Sequence, residues 1–135
     1  MINYAVEVKS ISKSFLKKNK ILPVLEDVSF HLRKGDILGI VGKSGCGKTT
    51  LLHIIAGVEK PTTGNVYLPP NRKLGYIMQY PFLLPWRTVL ENILLPLEIS
   101  GAVTKKHILR AKKLLEEMDL VLFKEAYPTE ISGGM

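Results

Sequence analysis

The stretch "ILGIVGKSGCGKTTLLHIIAG", residues 37–57, decides how this chain is read. Residues 37–41 form a short, nearly all-apolar run, as expected of a strand buried on both faces of a sheet. Residues 49–57 read as a helix that Gly57 ends. Between them, residues 42–49 satisfy G-x-x-x-x-G-K-[ST]. A strand leading in and a helix leading out is the context that this pattern requires.

The spacing has a chemical reason. Gly42, Gly45 and Gly47 leave backbone N–H groups uncovered by side chains, so a phosphate can approach them. Lys43, Ser44 and Cys46 complete the cradle between the glycines. The helix that follows adds free N–H donors and the positive end of its dipole. Lys48 is placed to reach terminal phosphates as a point charge, Thr49 to ligate Mg²⁺, and Thr50 to donate to a phosphate oxygen. These residues make an ATP-type nucleotide with Mg²⁺ the expected ligand.

Upstream, residues 4–11 and 23–32 alternate apolar and polar, so they read as an antiparallel strand pair, with Val24, Val28, Phe30 and Leu32 on one face. "RKGD", residues 33–36, is a turn. Downstream, residues 73–78 form a second candidate buried strand, and residues 79–88 an irregular loop. Residues 89–100 start as a helix that Pro96 should kink or end. Residues 105–120 form an amphipathic helix with Ile108, Ala111, Leu114, Leu115 and Met118 on one face.

A guanine-nucleotide switch protein is excluded. "NKIL" at 19–22 lacks the Asp of N-K-x-D, and both it and "DILG" at 36–39 precede the glycine loop. Three further features follow the order and rough spacing of ABC transporter ATP-binding subunits, which this chain therefore resembles. Phe15 in "ISKSF" resembles the aromatic that stacks on adenine. Gln79 resembles the Q-loop glutamine, which senses Mg²⁺ and the attacking water. "ISGGM", residues 131–135, resembles the LSGGQ signature, with Ile131 for Leu and Met135 for Gln. Within the family, "QYPFLLPWRTVLENILLPLEI" looks most like the nitrate, sulfonate and taurine importers.

The resemblance implies an α/β fold. Residues 1–78 would hold the N-terminal antiparallel β subdomain together with the P-loop NTPase core, and residues 79–135 the Q-loop and the start of an α-helical subdomain up to the signature. It also implies an ATPase subunit of an importer for a small anionic solute, working as a homodimer. ATP on one subunit's loop would be covered by Ser132, Gly133 and Gly134 of the other. Partners would be membrane permease subunits and, indirectly, a solute-binding protein, with the subunit cytoplasmic and peripheral on the inner face of the cell membrane.

Tyr80, Phe82, Leu83, Leu84 and Trp86, on a loop held extended by Pro81 and Pro85, form the apolar area a permease would meet. The family's later parts, a strand ending in Asp-Glu and a switch histidine, have no counterpart here, so the chain is expected to be an N-terminal portion that binds nucleotide without turnover. The alternatives are a non-transport ABC-type ATPase and a truncated, non-catalytic nucleotide-binding product.

Composition sets bounds on the rest. The net charge is +7 and the mean hydropathy +0.13. The lysines and arginines are spread along the chain, and no zinc-finger, RNP or basic-zipper pattern accompanies them, so no nucleic-acid partner is expected. One cysteine, Cys46, excludes an internal disulfide framework and suits a reducing compartment. No apolar run approaches the roughly 18 residues that cross a bilayer, and no secretory signal is seen at the N-terminus.

Overall fold

A computed structural model of the chain describes residues 4–70, 74–79 and 82–135. The chain divides into two compact units, Met1–Tyr76 and Ile77–Met135.

In the first unit, β1 (Tyr4–Lys17) and β2 (Lys20–Arg33) form a long antiparallel ribbon, and β3 (Thr63–Tyr67) adds to the other edge of β1, giving the order β2-β1-β3. The ribbon turns over Lys18 and Asn19, whose φ angles of 48° and 60° make a two-residue hairpin of the type that matches strand twist. At its far end Asp36 closes the expected turn: its carboxylate accepts from Arg33 N at 2.8 Å, and its N–H donates to Arg33 O at 3.2 Å.

The register between β1 and β2 shifts four times, and two of these shifts set which side chains reach the core. Ser10 (φ 48°) and Asp27 (φ 46°) are both left-handed, each beside a register shift. Val8 and Ile11 therefore both face the core despite their odd spacing, as do Leu25 and Val28. The bulged amides are satisfied by hydroxyls across the ribbon: Ser10 N donates to Ser29 Oγ at 2.8 Å, and Asp27 N to Ser12 Oγ at 3.0 Å. Leu25, rather than Val24, takes the innermost place on β2, and Val24 packs beside it half-buried.

Helix α1 (Lys48–Ile55) lies on this face. Leu51 and Ile54 join Val8, Ile11 and Leu25 in the core, with Val6, Phe30 and Val66 around them. Gly57, at φ +73°, ends the helix as its sequence position indicates, and Val58 N reaches back to His53 O at 2.9 Å. β3 approaches β1 so closely that a Cβ on Gly64 would lie 2.2 Å from the Ser10 carbonyl oxygen.

Residues 37–41 and 74–78 differ from expectation. Neither run joins a ladder among the described residues, and Ile37, Val41 and Ile77 are each more than nine-tenths exposed. A parallel strand is buried only when neighbouring strands and covering helices are in place, and the described sheet is the antiparallel one alone. Only Ile40 of the first run packs against the core.

The second unit holds α2 (Val89–Ile99), α3 (Lys105–Glu117) and two short 3₁₀ turns, Val121–Phe123 and Pro128–Glu130. α2 begins with a capping box: Thr88 Oγ1 accepts from Glu91 N, and the Glu91 carboxylate accepts from Thr88 N. Pro96 sits inside α2 without ending it. The expected apolar face of α3 buries Ala111 and Leu115, with Leu114 half-buried, but Met118 lies beyond the helix and is exposed. No helix among the described residues is long and apolar enough to cross a membrane.

Two outcomes follow for unfolding experiments. Ile11, fully buried, should lose about 2–5 kcal/mol on replacement by Ala, whereas exposed Leu16→Ala should stay within about 0.5 kcal/mol; urea denaturation distinguishes them. Glu59 carries a pKa held below its usual 4.5, chiefly because Lys13 Nζ donates to its carboxylate at 2.7 Å. A depressed carboxylate adds stability above its unfolded pKa and loses it as pH falls through the folded one. Glu59→Gln should therefore flatten the fall in melting temperature below about pH 4.5.

Candidate functional site

The glycine loop is built on the end of the core. Gly47 is the N-cap of α1 at φ +95°, and a Cβ there would meet Leu25 Cδ2 and the Val24 carbonyl oxygen, each at 2.9 Å. Glycine is thus required at 47 both for its backbone conformation and for its seat against β2. Gly45 is also left-handed, at φ +78°. Gly42 faces Cys46, whose sulfur would lie 2.7 Å from an added Cβ.

Lys48, the first residue of α1, folds back over the loop. Its ammonium donates to Gly42 O at 2.8 Å and to Lys43 O at 2.7 Å, with Cys46 Sγ at 3.7 Å. The charge is therefore held at the mouth of the loop. The start of α1 carries no side-chain cap and no acidic residue in its first turn. Its first N–H groups have no acceptor within the helix, and the dipole places positive potential there. An uncapped helix start, an ammonium and a glycine-rich loop together form an arrangement of the kind that holds phosphates. Thr49 is exposed on that first turn and Thr50 is half-buried beside it; Lys43, Ser44 and Cys46 are exposed. The residues present fit a nucleotide's phosphates, and the Thr49 hydroxyl is an oxygen donor suited to Mg²⁺.

Phe15 lies on β1 opposite Leu22, 38 % exposed. Lys13 Nζ stands 4.7 Å from the centroid of its ring and is fixed by Glu59 and by the Lys60 carbonyl at 2.8 Å. The ring is thus held in place while part of it remains open.

The other predicted residues belong to the second unit. Gln79 is exposed at a bend. Ser132, Gly133 and Gly134 are exposed in a turn closed by Met135 N donating to Ser132 O at 3.0 Å. Phe82 and Trp86 are 72 % and 70 % exposed. Leu83 is also exposed and Leu84 half-buried, while Tyr80 and Pro81 lie outside the described residues.

One residue given no role from sequence stands out. Asn92, 9 % exposed, accepts from Leu84 N at 2.7 Å and donates to the carbonyls of Leu84, Arg87 and Thr88. Its sequence signals are its place as one letter of the family-like stretch at 79–99 and its polarity on a face that otherwise buries Val89 and Leu94. The first turn of α2 also donates outward, Val89 N to Ala126 O at 2.9 Å and Leu90 N to Lys124 O at 3.0 Å.

Comparison with known proteins bears on these features. Residues 25–135 match the ABC transporter family model. The chain is 40 % identical over 136 residues to the aliphatic sulfonates import ATP-binding protein of Bacillus cereus, covering 96 % of this chain and 53 % of that protein. It is 36 % identical over 143 residues to the methionine import ATP-binding protein of Latilactobacillus sakei, covering 96 % and 42 %. A solved dimeric ATP-binding cassette in a post-hydrolysis state, bound to ADP and Pi, superposes with a TM-score of 0.85 at 31 % identity, covering 96 % of this chain and 64 % of that one. The chain spans about half the length of the curated relatives it matches.

Cys46 is free and exposed within the loop. MgATP should slow its alkylation by N-ethylmaleimide severalfold, read by mass spectrometry; equal rates with and without nucleotide would remove the anion reading of the loop.

Proposed function

Since this chain belongs to the ABC transporter family, we propose that it binds ATP through residues 42–50 and forms part of the ATP-binding subunit of an importer. The observation that carries this reading is the site at the start of α1, where Lys48 stands at an uncapped helix N-terminus with no acidic residue in its first turn.

The loop N–H groups and those of Lys48, Thr49 and Thr50 bind the phosphates. Lys48 exchanges its two carbonyl acceptors for phosphate oxygens, which it holds as a point charge. The Phe15 ring, set by Lys13, stacks on the adenine. Thr49 would hold the Mg²⁺ ion, which neutralises phosphate charge when bound, and Gln79 keeps the Q-loop role that the resemblance implies. In the assembled protein Ser132, Gly133 and Gly134 meet the nucleotide of a second copy. Hydrolysis is proposed for the full-length protein, and residues 1–135 alone bind without turnover.

The partner is a membrane permease, proposed on the exposed apolar loop of Phe82, Leu83 and Trp86. Such a subunit would sit in the cytoplasm against the inner face of the membrane, with a solute-binding protein reached only through the permease. The solute class proposed is a small anion of the sulfonate or nitrate kind, on the likeness of residues 79–99 to that importer group. A non-transport role is the second reading, and the same exposed loop argues against it.

Lys48→Ala should weaken ATP binding by about tenfold to a hundredfold, the worth of a charged hydrogen bond, read by isothermal titration. Unchanged affinity would overturn the nucleotide reading. In the full-length protein, Phe82→Ala with Trp86→Ala should reduce co-purification with the permease at least about tenfold, since exposed aromatic anchors carry interface energy; undiminished capture would favour the non-transport reading.

A further inference from the structure

Residues 84–87 form a reverse turn, Arg87 N donating to Leu84 O at 3.1 Å, with Pro85 and Trp86 in the central positions. Trp86 is therefore at the tip. Asn92 closes this turn from inside. Its carboxamide spans the chain entering the turn, at Leu84 N and O, and the chain leaving it, at Arg87 O and Thr88 O. Arg87 adds a second tie through an ion pair with Glu98 further along α2.

The helix start does not need Asn92, because Thr88 and Glu91 already cap it reciprocally. Burying a carboxamide is costly unless its groups are hydrogen-bonded. Here both ends are bonded, and every partner lies in the loop or at its junction with α2. The side chain thus acts on the loop, whose apolar residues remain outside.

We propose that Asn92 is a positioning residue for the docking loop: it clamps residues 84–88 onto the first turn of α2 and presents Phe82, Leu83 and Trp86 as a preformed surface for the permease. The proposal rests on the permease reading above for the identity of the partner. A preformed loop has less freedom to lose on docking, which raises affinity without any new contact.

Trp86 is the single tryptophan of the chain, so its fluorescence reports the loop tip directly. The test compares Asn92→Ala, Asn92→Asp and Thr88→Ala in the full 135-residue chain, by hydrogen exchange at the Leu84 amide and by acrylamide quenching of Trp86. Asn92→Ala should speed Leu84 exchange about tenfold, as loss of a buried hydrogen bond implies, and should increase quenching. Asn92→Asp keeps the acceptor for Leu84 N and loses the donors, so Leu84 should stay protected while quenching rises; this variant also preserves the side chain's shape should the alanine form fail to fold. Thr88→Ala should loosen the Glu91 amide and leave Trp86 unchanged. Wild-type quenching in both Asn92 variants, or an equal rise in Thr88→Ala, overturns the clamp. If the clamp readouts hold but loss of Phe82 and Trp86 spares permease capture, the docking reading fails and the clamp stands; the opposite pair of results sinks this proposal alone.

Discussion

The contact between Gly47 and β2 is the constraint on which the first unit depends. Only a residue without a side chain lets the start of α1 come down on Val24 and Leu25. That approach puts Leu51 and Ile54 into the core with Val8, Ile11 and Leu25. It also fixes where the helix dipole points and where Lys48 begins. Core packing and anion site are therefore one arrangement: a side chain at 47 would lift the helix off the ribbon and move the loop with it. The apolar burial that stabilises the fold also sets the geometry of the glycine loop.

The second unit is organised by a different force. Its exposed loop keeps most of its apolar side chains outside, and polar groups hold it instead. Asn92, the Thr88–Glu91 box and the outward bonds of Val89 and Leu90 together satisfy backbone groups that would otherwise need water. The apolar residues of the loop are thereby left on the surface.

Much of this was legible in the residues. The glycine pattern fixed the loop, Gly57 the helix end, and alternation the strand pair, because each depends on neighbours close in sequence. What was not legible depends on distant partners. The burial expected of residues 37–41 needs flanking strands that the described sheet does not supply. The exchange of Val24 for Leu25 at the innermost position came from a bulge, and nothing in "LEDVS" marks Asp27 as left-handed before its bond to Ser12 is seen. Asn92 was a single letter in a family-like pattern; its role exists only once Leu84, Arg87 and Thr88 surround it.

The paired bulges carry one more consequence. Ser10 adds a residue to β1, and Asp27 adds one to β2 a short way along the same ribbon. Each insertion is a place where the ribbon carries one residue more than the alternation needs. Loss of Ser10 would bring Val8 and Ile11 to ordinary two-residue spacing, with both still facing the core. Loss of a residue from a regular part of either strand would instead turn every side chain beyond it to the other face. The bulges are thus the points at which these strands can change length, and both lie at the exposed surface of the sheet.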